Sequence, residues 1–176
     1  MNKVLLISES TLKKLSNLGA NLDGLYLYPS ICLAQDVDLT NIIGPALVNK
    51  LCDLVGSGEI ENEENEAYKT LLDTYVTNYL VWAVTASIIP IINYKWVNAG
   101  VSVNTDEHRN SLEYSSAKNL QSQVEKYANA YAVKMKDFLC HNSNLYPEYH
   151  QLVNCEGKGD PQLCGIVFDE RRCCYE

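Results

Sequence analysis

The sequence predicts a mainly α fold: a bundle of about four helices, two of them long, with a short β-prone hairpin or loop near residues 91–103 and a loop-rich C-terminal tail. Three observations carry this. Apolar side chains recur at helical three- and four-residue intervals through two long stretches, roughly 63–89 and 106–139. Gly and Pro fall between the periodic stretches and again crowd the C-terminus. β-Branched and aromatic residues dominate in only one segment, 91–103.

Residues 4–7 are apolar and read as a short strand or an extended arm. Ser8 or Ser10 is placed to cap a short helix over 11–18, ended by Gly19, and 21–24 reads as a turn or cap. A second helix is expected over about 25–38, with Tyr28, Ile31, Cys32 and Gln35 at helical spacing. Pro29 is tolerable only in a first turn, so the helix proper is expected to begin there. Residues 39–45 carry a stop and a restart: Asp38 or Thr40 caps a turn, Gly44 allows a bend, and Pro45 opens the next helix. That helix, 46–55, aligns Leu47, Leu51 and Leu54 on one face, flanked by Val48, Cys52 and Val55.

Residues 56–58 form a flexible break, followed by the acidic run Glu59, Glu61, Glu63, Glu64 and Glu66. Negative charge here favours a helix N-terminus. The run is either a plain solvated face or an acidic lining. In the long helix 63–89, Ala67, Leu71, Tyr75, Asn78, Trp82 and Ala86 make one stripe, and Leu72, Val76, Leu80 and Ala83 widen it. So much apolar surface implies burial on several sides. Pro90 should stop or kink the helix. The last helix, 106–139, repeats Leu120, Val124, Tyr127, Tyr131, Met135 and Phe138, and its other face carries Gln121, Glu125, Asn129 and Lys136. At this length it would reach about 50 Å, so part of it is expected to project or to meet a neighbour. Residues 1–140 form the helical domain and 141–176 a Cys-containing extension, in which 165–168 suits one short strand.

The chain has 176 residues, 47% of them hydrophobic, enough for one domain with a sizeable core. The formal charge of −8 argues against ordinary nucleic-acid binding, which needs cations to displace counterions from phosphates. Tyr is abundant, 12 residues against 2 Phe and 2 Trp. Its apolar body and polar tip suit half-buried positions, at the rim of the core or against a partner. No signal-peptide pattern is visible, and the longest apolar stretch, 79–92, falls short of the roughly 20 residues of a membrane helix. A cytosolic fold with no membrane partner is expected, in which the 7 Cys are not automatically disulfides.

No catalytic motif is found: no Gly-rich phosphate loop, no G-x-S-x-G elbow, no H-E-x-x-H. No catalytic residue, cofactor or metal is assigned. His108, His141 and His150 have no partner ligand at helical spacing. The one cluster worth weighing is Cys140, His141, His150, Cys155, Cys164, Cys173 and Cys174. A zinc site would need four of these to converge tetrahedrally, and the C-x-x-C knuckle is missing. Unpaired thiols are the favoured reading; a zinc-stabilised domain and a disulfide are the alternatives.

Five stretches carry a resemblance. They are Leu5-Ile-Ser-Glu-Ser; Tyr28 to Asp36 with Ala34-Gln35-Asp36; Ile42-Ile-Gly-Pro with Leu47-Val-Asn-Lys-Leu; Ile89-Pro-Ile-Ile; and Tyr94-Lys-Trp-Val-Asn-Ala-Gly-Val before the last helix. In this order, over residues 4–140, the chain resembles the head-to-tail connector (adaptor, or head-completion) proteins of tailed phages, closest to ring proteins of crAss-like and other Bacteroidetes phages. The resemblance implies a virion structural protein and no catalytic residues. It implies a ring of about twelve copies beneath the portal protein, touching adjacent tail or ring proteins, with DNA passing through its centre unbound. An acidic lumen would repel phosphates, so the run 59–66 is a candidate channel lining, and 91–103 or the tail a candidate contact to an adjacent ring. The alternative is a helical protein-interaction module with no virion role.

Overall fold

The computed structural model describes residues 3–16, 18–19, 22–97, 100–103 and 114–149. Within these the fold is mainly α, as the sequence predicts. The N-terminal residues 3–7 are the extended arm rather than a strand, with Leu6 and Ile7 buried in the core. Helix α1 (Glu9–Leu15) follows, capped by Ser8, whose Oγ accepts from the Thr11 amide. It ends at Leu15, short of the expected 18. Ser16 turns extended, and both its amide and its Oγ donate to the Leu12 carbonyl, closing the last turn.

Helix α2 (Gly24–Leu33) starts at Gly24, not at Pro29 as expected. The Asp23 carboxylate accepts from the Leu25 amide, so the first turn is already capped when Pro29 is reached. Pro29 then sits on an exposed face, and the one bond it forfeits is to the carbonyl of exposed Leu25. The expected stop near 38 is also absent. A π-helical turn, Ala34–Leu39, continues α2 directly into α3 (Thr40–Ile43). Thr40 does not cap a new turn; its Oγ1 donates to the Gln35 carbonyl, one of the acceptors that the widened turn sets free. The break comes at Gly44, with φ +86°, and Pro45 opens α4 (Pro45–Ser57), both as the sequence predicts. Leu47, Val48, Leu51 and Leu54 are buried, and Gly58, with φ +76°, ends α4 in the left-handed conformation.

Two short 3₁₀ turns, Glu59–Glu61 and Glu63–Asn65, carry the acidic run into α5 (Glu66–Thr70). A second π-helical turn, Leu71–Val76, joins α5 to α6 (Thr77–Asn93). This turn corrects the expected core stripe. The extra residue rotates everything beyond it by about 100°. Of the expected stripe, Leu71, Leu72, Val76, Leu80, Ala83 and Ala86 are buried and are joined by Val84 and Ile88, while Ala67, Tyr75, Asn78 and Trp82 fall to the half-buried flank. Pro90 does not stop the helix, because it lies in the last turn and α6 runs on to Asn93. The run Glu63–Ile92 is long and apolar enough by composition to cross a membrane, but 61% of its most apolar window is buried inside the fold, as in a core helix.

Strands β1 (Tyr94–Val97) and β2 (Gly100–Val103) form an antiparallel pair with Tyr94 opposite Val103 and Val97 opposite Gly100. The hairpin is thus the form taken by most of 91–103, while 91–93 stay helical.

Helix α7 is Tyr114–His141, 28 residues or about 42 Å. The expected start near Asp106 lies outside the described residues. Its buried face is Ala117, Val124, Ala128, Met135 and Leu139. Of the expected stripe, Leu120 and Tyr127 are exposed and Tyr131 and Phe138 half-buried. Small Ala117 and Ala128 let α7 close on α6, so the larger residues beside them serve as the flank.

Helix α6 is the centre of the fold and packs against both α2 and α7, and α3 also touches α7. The main core joins the arm, α1 to α6 and the C-terminal half of α7. A smaller cluster of Ala86, Ile89, Ala117 and Val124 continues it where α6 and α7 run together. Packing continues past residue 140. A 3₁₀ turn, Ser143–Leu145, returns the chain so that Tyr146 and Tyr149 are buried. Tyr146 donates to the Ala67 carbonyl at 2.8 Å, and Tyr68 donates to Glu148 at 2.8 Å. The expected strand at 165–168 lies outside the described residues.

Candidate interaction surface

Helix α2 is apolar in nearly every direction, and only one of its faces meets α6. Leu27, Ser30, Ile31 and Ala34 face the core. The opposite face leaves Leu25 74% and Leu33 54% exposed, with Tyr28 and Pro29 between them and Val37 beyond. Such a stripe on one helix is larger than the scattered apolar residues of an ordinary surface. The sequence pattern carried its signal, an apolar face all round a ten-residue helix, but the helical spacing picked out Tyr28, Ile31, Cys32 and Gln35 and passed over Leu25, Leu33 and Val37.

The arm is tied to the π-helical turn that follows α2. Gln35, in the π-helical turn, is 2% exposed. Its Oε1 accepts from the Leu6 amide at 2.9 Å and its Nε2 donates to the Val4 carbonyl at 3.1 Å, so one side-chain amide does the work of a neighbouring strand. Lys3 pairs with Asp36 on the outer side. Asp38 is half-buried in the same turn, and burial raises its pKa. Burial, with the Asp38 charge second, raises that of Tyr79.

The acidic run is the solvated face of the sequence reading: Glu59, Glu61, Glu63, Glu64 and Glu66 are all exposed, and Glu61 pairs with Lys69. The same exposure leaves the run available as a lining.

The aromatic residues gather along the seam with α7 and the segment that follows it. Tyr75 stacks on Phe138 with ring centroids 4.3 Å apart, Trp82 meets Tyr127 at 5.1 Å, and Tyr68 meets Tyr146 edge-on at 5.5 Å. Burial pushes the Tyr146 hydroxyl up to about 12. The Tyr68 hydroxyl is raised too, by burial and then by its bond to Glu148. Of the described tyrosines, Tyr68, Tyr75 and Tyr131 lie at the rim of the core, Tyr79, Tyr146 and Tyr149 inside it, and Tyr26, Tyr28 and Tyr127 outside.

An open recess of about 460 Å³ lies along this seam, lined by Tyr75, Lys134, Asp137, Phe138, His141 and Asn142. His141 Nδ1 lies 2.7 Å from the Asp137 main-chain carbonyl, not its carboxylate, so the two do not form an acid–base pair. Of the Cys/His cluster, only Cys140 (half-buried) and His141 (exposed) are described, at the end of α7. His108, His150, Cys155, Cys164, Cys173 and Cys174 lie outside the described residues. Among the described residues no group of three or more His, Cys, Asp or Glu could hold a metal ion.

Fold and surface together define a mainly α helical bundle that carries an exposed apolar stripe. The chain belongs to the family of unknown function DUF6712, whose model matches residues 39–159. The match takes in α3 to α7 and begins just beyond the exposed stripe on α2. No curated protein and no solved structure matches the chain significantly.

Proposed function

We propose that the chain is a virion structural protein: one subunit of an oligomeric ring between the portal and the tail of a tailed phage, made in the host cytoplasm, with DNA passing through the ring. The observation that supports this most is the unpartnered apolar stripe of α2. Its exposure costs solubility unless another protein covers it, and a repeated contact between copies covers it in every subunit at once. The ordered sequence stretches over 4–140 supply the class of assembly. The exposed carboxylates of 59–66 suit a channel wall, where like charge keeps DNA from sticking.

The test replaces Glu59, Glu61, Glu63, Glu64 and Glu66 with Lys in the phage and measures assembly and genome ejection. Normal assembly with slowed or blocked ejection is expected. Unchanged ejection removes the acidic run from the channel. The same stripe also supports a second reading, a helical interaction module with no virion role, which would stay monomeric or dimeric when mixed with portal protein.

A further inference from the structure

We infer that the free chain is a two-fold dimer in which the exposed face of α2 in one copy lies antiparallel on the same face of a second copy. This goes beyond the ring reading and does not rest on it. Under that reading, the dimer is the form the chain takes before portal protein opens it.

The face is continuous. At about 100° per residue, Tyr28, Leu25, Pro29, Leu33 and Tyr26 fall in that order within about 160° of the α2 surface. Buried Leu27, Ser30, Ile31 and Ala34 lie on the other side. With Val37 beyond, the exposed residues leave on the order of 600 Å² bare, the upper end of what a monomer carries. This approaches the roughly 800 Å² that each partner gives to a stable interface.

No other described surface of the chain matches it. Among the described residues, the large exposed apolar side chains outside α1, α2 and its π-helical turn are Ile92, Leu120, Tyr127, Val133 and Leu145. They are spread over α6, α7 and the 3₁₀ turn, and Tyr127 packs on Trp82. Val133 lies on a different side of α7 from Leu120 and Tyr127. The surface of a second copy that fits the face is therefore the face itself. Charge allows this, since Gly24–Leu33 holds no charged side chain and the contact buries none.

The helix ends set the direction. Asp23 caps the N-terminal end of α2, and the Glu9 carboxylate lies against Gly24 there. Past the other end, Lys3 and Asp36 pair and cancel. A parallel contact would bring the Asp23 and Glu9 carboxylates of both copies together, whereas an antiparallel one holds them a helix length apart. Pro29 lies midway between Leu25 and Leu33. A two-fold axis beside it places each Leu25 on Leu33 of the other copy, a contact that closes at two copies.

The test uses the full chain, as wild type and as the variants Leu25→Glu and Leu33→Lys, with circular dichroism melts to show that each folds. Analytical ultracentrifugation is expected to show a wild-type dimer, with the dissociation constant raised at least tenfold in each variant. An equal mixture of the variants is expected to recover dimers, identified by native mass spectrometry as one chain of each. There the new carboxylate of one chain meets the new ammonium of the other, and the remaining Leu33 and Leu25 still pair. A parallel contact gives no such rescue, so its absence overturns the antiparallel pairing. The α2 contact is overturned if both variants dimerise as tightly as wild type. It is also overturned by a wild-type chain that assembles beyond dimers on its own or is monomeric at about 100 µM. The monomer is the result expected if a different protein covers the face. Added portal protein separates the contact from the ring reading. A ring built by a chain that never dimerises removes the contact alone, and a stable dimer that adds nothing to portal removes the ring alone.

Discussion

Gln35 shows how much one side chain can decide. Its amide satisfies both a donor and an acceptor of the arm, in a site with almost no solvent. Gln35→Leu keeps much of the volume but leaves the Leu6 amide unpaired. It should cost about 1–3 kcal/mol in urea unfolding. A change under 0.5 kcal/mol would mean the arm is not clamped in solution. Asp38 works the other way. Its pKa is raised by burial, so the folded state holds the proton more tightly than the unfolded chain does. The ionised carboxylate therefore costs stability at neutral pH, and that cost fades as pH falls through the raised value and is gone below the ordinary Asp range. Asp38→Asn should raise the melting midpoint at pH 7 and bring no gain near pH 3. Tyr146, with its hydroxyl raised to about 12, adds stability that is full below the ordinary Tyr pKa and disappears as pH rises from about 10 toward 12. Tyr146→Phe should cost about 1 kcal/mol at pH 7, through the lost bond to Ala67, and should flatten the alkaline fall. The sequence offered Gln35 only as a residue at helical spacing and Asp38 only as a cap candidate, and Asp38 instead lies inside the π-helical turn; a polar residue at helical spacing looks the same whether it faces solvent or an arm thirty residues away.

At the scale of elements, the sequence showed where helices run better than which way they face. Gly44 and Pro45 marked a real break because a positive φ and a missing amide act locally. Pro29 and Pro90 did not break their helices, since each forfeits one bond at an exposed or terminal turn. The two π-helical turns were invisible, as they depend on tertiary contacts and not on a residue signature. Each shifts the helical phase, and the shift at 71–76 moved Trp82 from the expected core line to the flank. On α7 the large residues drew the expected stripe toward Leu120 and Tyr127, but the face that closes on α6 uses Ala117 and Ala128. Met135→Ala should therefore cost about 2–5 kcal/mol, and Leu120→Ala less than about 0.5 kcal/mol, in chemical unfolding. Equal costs would restore the stripe read from periodicity.

On the scale of the whole molecule, α6 packs against both α2 and α7, and α2 turns an apolar face to solvent. This pattern was hidden in the sequence because an apolar residue on the free face of α2 is indistinguishable from one on its packed face. Charge segregation was legible, since the carboxylates of 23–66 and the lysines of α7 can be read directly from the chain. An apolar face present in every copy can be covered by self-association, and a contact repeated by rotation gives a ring. The most direct measurement is negative-stain electron microscopy of the chain mixed with the portal protein of the same phage, beside portal alone. The account predicts an added ring coaxial with the portal. Portal particles with no added density, from a chain that also stays monomeric in solution, would contradict it.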